Sequence, residues 1–96
     1  MDFDYLSDTT EQTSTRFITF ITPNLHRFDL AVTSTSRFYG KKMVTNLQSN
    51  VTAIIGPDDL DEEGYLEHVF RISEEAAEDL RDFLVQIVGA ITFDDH

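Results

Sequence analysis

Residues 16–34 read RFITFITPNLHRFDLAVTS, and this stretch sets the fold class. In HRFDLAVTS (26–34) the side chains alternate, Phe28, Leu30 and Val32 on one parity against Arg27, Asp29 and Thr33 on the other. That is the pattern of a strand with one buried and one wet face. RFITFIT (16–22) is rich in Phe, Ile and Thr and is apolar on both parities, Phe17 and Ile21 against Ile18 and Phe20, which suits an interior strand. Pro23-Asn24 stops the first run, so the two pair as a hairpin.

Downstream, Arg37 to Leu47 continues as a third strand, interrupted at Gly40 by a bulge or a close backbone approach. Gln48-Ser49-Asn50 is a polar turn, and VTAII (51–55) is a fourth strand ended by Gly56-Pro57. An acidic loop follows over Asp58 to Glu63, closed by Gly64. YLEHVFRI (65–72) reads as a fifth strand with Leu66, His68, Phe70 and Ile72 on one face. The last element is an amphipathic helix from about Glu74 to Val88. Ser73 stands at the N-cap, Glu74 and Glu75 lie in the first turn, and Ala76, Leu80, Phe83, Leu84, Ile87, Val88 and Ile91 follow helical spacing. Gly89 is placed to follow its end. The expected fold is α+β: an antiparallel sheet of four to five strands followed by one C-terminal amphipathic helix packed on one face. Which face it covers is open, because the first and third strands are apolar on both parities.

Ninety-six residues make one domain. Its expected limits are 16–91, preceded by an acidic leader at 1–15 whose Phe3, Tyr5 and Leu6 tack onto the core, and followed by an acidic tail at 92–96. Eighteen Asp and Glu against seven Lys and Arg give a net charge of −11, which opposes binding to phosphate backbones and anionic membranes. The chain has no cysteine, hence no disulfide framework, thiolate nucleophile or sulfur-based zinc site. With no basic n-region and no apolar run of spanning length, it reads as a cytoplasmic, soluble protein. Five of the seven bases lie in 16–42 and thirteen of the acids in 43–96. The basic segment can therefore meet the acidic half of its own or another copy.

The acidic loop carries the most chemical information. With Gly64 at position 6 of a calcium-binding loop, Asp59, Asp61 and Glu63 fall at positions 1, 3 and 5, but position 12 is Phe70 rather than a carboxylate, and the flanks read as strands. A looser divalent site at Asp58, Asp59, Asp61 and Glu63 remains an alternative to a solvated acidic turn. His26, His68 and His96 have no short-range ligand spacing. His68 shares its parity with apolar residues and, if that parity faces the core, must be hydrogen-bonded or neutral there. Ser34, Ser36 and Ser49 lack a nucleophile-elbow context, and the four glycines are too dispersed to cradle phosphate. RFYGKK (37–42) interleaves bases with aromatics, but one short run in so acidic a chain reads as a strand.

RFYGKKMVTNLQSN and AIIGPDDLDEEGYLEHVFRISEEAAEDLRDFL, with GPDDLDE-GYLEH as the most distinctive block, resemble a small family of uncharacterised bacterial cytosolic proteins carrying a domain of unknown function. The resemblance covers about residues 14–90. It implies a bacterial cytosolic protein and supplies no activity, cofactor or catalytic residue.

Three functional readings follow. The leading one is a non-catalytic protein-interaction or regulatory module, acting as a homodimer through its uncovered apolar surface and exposed strand edges. Asp58, Asp59, Asp61, Glu62 and Tyr65 would face a protein partner with a basic surface, with no nucleic acid, membrane or cofactor involved. The first alternative is a divalent-cation site, such as calcium, at Asp59, Asp61 and Glu63. The second is an enzyme with His68 as acid or base, which requires a pocket and a second titratable group beside it.

Overall fold

A computed structural model describes residues 2–89 of the chain. Four strands form one antiparallel meander in the order β1-β2-β3-β4: β1 Ser14–Ile21, β2 Arg27–Ser34, β3 Lys42–Asn46 and β4 Val51–Ile55. Three α-helices follow, α1 Pro57–Leu60, α2 Tyr65–Phe70 and α3 Glu74–Leu84, and α3 runs into a π-helical turn at Val85–Gly89. The protein is thus α+β, with a helical layer on one face of the sheet. The apolar position Ile91, the tail 92–96 and His96 lie outside the described residues.

Registry fixes the two faces. Ile18 lies opposite Leu30 and Phe20 opposite Phe28, while Val32 faces Val44 and Val44 faces Ala53. These side chains share the face beneath the helices, where Leu30, Val44 and Ile55 are buried against Leu66, Phe70, Leu80 and Leu84. Phe20 bridges the layers, stacked on Phe83 of α3 at a centroid distance of 4.1 Å. The opposite parity carries Phe17–Ala31, Met43–Ile54 and two threonine pairs, Thr15–Thr33 at 2.8 Å and Thr45–Thr52 at 2.7 Å. No element of the described chain covers that face.

Four expectations need correction. β1 is an edge strand rather than an interior one, so its second apolar parity is exposed, Phe17 at 76% and Ile21 at 64%. The third strand begins only at Lys42, because residues 37–40 form a turn in which Gly40 takes φ +72°. Phe3, Tyr5 and Leu6 do not reach the core, Leu6 being 99% exposed. Residues 2–13 form no helix or strand, although Glu11 accepts hydrogen bonds from the hydroxyls of Thr35 and Ser36, and Arg37 donates to Thr9 at 3.0 Å.

The fourth correction is the largest: the proposed fifth strand is α2. Tyr65, Leu66, Val69 and Phe70 satisfy a helical period as well as Leu66, His68, Phe70 and Ile72 satisfy a strand period. The local backbone decides between them. Gly64 at φ +82° caps the start, and Arg71 at φ +57° breaks the helix two residues before Ser73, whose hydroxyl accepts from the Ala76 amide at 3.1 Å. A helix buries Leu66 and Phe70 together and turns His68 out to solvent. Phe70→Ala should therefore cost about 3–5 kcal/mol in denaturant unfolding. His68→Ala should stay within about 0.5 kcal/mol of the parent, an outcome the strand arrangement would not give.

Candidate functional site

Gly56 ends β4, and its amide donates to the Asp59 carboxylate at 2.8 Å, which starts α1 at Pro57. The acidic loop is therefore partly helical. Asp59 is turned inward by this bond and by the Lys41 ammonium at 3.5 Å. Tyr65 is half-buried, with its hydroxyl 3.5 Å from the Ile54 carbonyl oxygen of β4. Burial first, and then the charges of Asp59 and Glu62, raise the Tyr65 phenol above its ordinary value. Asp58, Asp61, Glu62 and Glu63 are exposed.

Arg81 joins the loop to α3. Its Nε donates to the Leu60 carbonyl at 2.7 Å, and its guanidinium lies 3.5 Å from Asp61. This clamp leaves an open groove of 660 Å³ between the 60–67 segment and α3. Leu60, Leu66 and Ala77 reach its wall from the core. One rim carries Asp61, Glu62, Glu63 and Glu67, the other Glu74, Glu75, Glu78 and Asp82, and Arg81 is its one cation. Eight carboxylates against one guanidinium create a strongly negative trough. Of the residues singled out in the sequence as an interaction surface, Asp61 and Glu62 line it. Asp58, Asp59 and Tyr65 do not.

The calcium-loop comparison changes in one respect. The flanks of the loop are two short helices, not strands, but position 12 is still Phe70, packed in the core. Among the described residues no three or more of His, Asp and Glu are grouped so as to hold a metal ion. His68 is exposed rather than aligned with the core, and it lines neither the acidic groove nor the second, smaller depression beside β1. No helix among the described residues is long and apolar enough to cross a membrane.

Sequence reasoning missed the best-organised polar cluster. Asp79 on α3 accepts from Thr22 Oγ1 at 2.6 Å, from His26 Nδ1 at 2.8 Å and, through its other oxygen, from Asn24 Nδ2 at 2.9 Å. The Thr22 hydroxyl in turn accepts from the His26 amide at 3.0 Å. An ionised carboxylate has no proton to give, so the imidazole proton in this bond resides on Nδ1. Nε2 faces the exposed Glu75 at 3.4 Å. The hydrogen bonds from His26 and then Thr22 hold the Asp79 carboxyl below its ordinary range. This carboxylate, its side chain 9% exposed, pins the β1–β2 turn to α3. The only hint in the sequence was the density of polar groups in Thr22-Pro23-Asn24-Leu25-His26, since the partner lies 53 positions from His26.

The chain matches the SAV0927-like family over residues 6–86, and so belongs to that family, whose description names no activity. No curated protein matches it.

The pinned carboxylate has a pH signature. Because its folded value is lowered, its stabilisation is present above the ordinary aspartate value of about 3.9 and is lost as pH falls through the folded value. Asp79→Asn should lower the melting temperature at neutral pH. The gap to the parent should narrow in melts taken progressively below about pH 4.

Proposed function

We propose that this member of the SAV0927-like family is a non-catalytic protein-interaction module that acts as a homodimer and binds a basic segment of a protein partner in the acidic groove. The observation that carries this reading is the groove itself. It is a trough with an apolar wall whose two rims bear carboxylates and are tied to one another by Arg81. A Lys- or Arg-bearing segment would lay its aliphatic stems along Leu60, Leu66 and Ala77 and set its charges against both rims. The two rims come from separate elements, so they present charge at a fixed spacing that one acidic turn cannot supply.

The test is fluorescence anisotropy of a labelled Lys/Arg-rich peptide titrated with the full chain. Binding should weaken strongly as salt rises and the screening length falls from about 10 Å at 0.1 M to about 3 Å at 1 M. Neutralising Glu74 and Glu78 to Gln should weaken it by about two- to fivefold per charge, as expected for exposed pairs. Neutralising Asp58, which lies off the groove, should leave it unchanged. Salt-independent binding, or equal effects of the groove and off-groove variants, would refute the groove as the site.

A further inference from the structure

The two edges of the sheet are finished differently. β4 is five residues long and packs against α2, with the Tyr65 hydroxyl on its backbone. β1 is eight residues long, contains no Pro, Lys, Asp or Glu, and has no neighbour on its outer side among the described residues. A long edge whose single charge is Arg16, with no bulge or cover, is a feature that monomeric proteins avoid.

Its hydrogen-bonding phase can be read from the turn. The Thr22 amide donates to the His26 carbonyl at 2.9 Å, and alternation along an antiparallel ladder then bonds Phe20 to Phe28 and Ile18 to Leu30. The Asp29 carbonyl accepts from Leu47 at 2.8 Å, on the β3 side, which agrees with that phase. Thr15, Phe17, Thr19 and Ile21 therefore aim their backbone N–H and C=O groups outward.

We propose that a second copy of this chain pairs with the free edge of β1, antiparallel and two-fold symmetric about Thr19, to make a continuous eight-stranded sheet. The proposal rests on the homodimer of the preceding reading and names its surface. Centring on Thr19 places outward-facing groups opposite one another. It sets Phe17 against the partner's Ile21 on the open face and Ile18 against the partner's Phe20 on the helix face. Both are aromatic/β-branched pairs, which stabilise antiparallel neighbours.

Charge agrees with this register. Arg16 is exposed, has no ion-pair partner among the described residues, and shares the helix-side parity of Ile18 and Phe20. In the pairing it falls opposite the partner's Thr22. Beside Thr22 lies a depression of 430 Å³ between β1 and α3, with Asp79 and Asp82 on its wall and Phe20 and Phe83 beneath. Asp79 is already engaged by Thr22, Asn24 and His26, and the exposed Asp82 is the carboxylate open to a guanidinium. Each copy thus supplies one cation and one anionic depression, and two-fold symmetry uses both.

Sedimentation velocity of the full chain should show a dimer, and Thr19→Pro should make it monomeric with its cooperative melt retained. The Thr19 amide points away from β2, so proline there removes inter-copy bonds rather than the β1–β2 ladder. Arg16→Glu should weaken self-association about tenfold over the two symmetric contacts, and adding Asp82→Arg should recover it. The chain has no cysteine, so Thr19→Cys tests the axis independently of proline. Directly opposed residues of a hydrogen-bonded pair have Cα atoms about 5.5 Å apart, within disulfide range. Oxidised Thr19→Cys should give a covalent dimer, and Thr45→Cys, in β3, should not. A monomer at every concentration would remove the homodimer and the edge together. A dimer that survives Thr19→Pro, or a Thr19→Cys chain that oxidation does not cross-link, would remove the edge alone. Neither outcome touches the peptide titration, which reports on the groove.

Discussion

One-sided burial of the sheet is the constraint on which the rest of this protein depends. Phe28, Leu30 and Val32 of β2 can leave water only if something lies across their face, and the chain supplies one helical layer to do so. α3 provides Leu80 and Leu84 to that contact and is fixed in position by two polar ties, Asp79 to the β1–β2 turn and Arg81 to the Leu60 carbonyl. These ties lie at opposite sides of the helix layer. The first sets α3 against the hairpin and the second sets it against the acidic loop, so hairpin, sheet and loop are registered through a single helix.

Everything the molecule offers to others follows from the same constraint. With one helical layer, the second sheet face stays open, and its cross-strand threonine pairs make it only partly apolar. Above the apolar core that α2 and α3 share, their outer faces are acidic, which leaves a trough whose wall is core and whose rims are charged. The meander ends on β1, so the strand richest in Phe and Ile has an unfilled edge. Groove and edge share only Asp82 of α3, which borders both, so Glu74 and Glu78 report on the groove alone and Thr19 on the edge alone.

Much of this was legible in the residues, for reasons that can be named. β2 and β4 were readable because clean alternation and strong breakers at Pro23-Asn24 and Gly56-Pro57 leave little choice. The start of α3 was readable because a serine cap, two early glutamates and a long apolar stripe agree. α2 was not, since six residues fit either period and the outcome rests on Gly64 and Arg71 at positive φ, which hydrophobicity does not encode. The placement of β1 at the edge was hidden because two apolar parities signal burial between layers or burial against a partner equally well. The groove was half visible: its acids could be counted, but their arrangement on two facing rims depends on the Arg81 clamp. The Asp79 cluster joins residues more than 50 positions apart, a separation that no local pattern spans.

Amide hydrogen exchange by NMR on the full chain, at low and high protein concentration, tests the central claim most directly: this fold is complete on one side and waits for a second copy at β1. The account predicts that Ile18 and Phe20, bonded to β2, are protected at both concentrations. The amides of Phe17, Thr19 and Ile21 should exchange freely when dilute and become protected when concentrated. Free exchange at these three positions at every concentration, beside a protected Ile18 and Phe20, would contradict it.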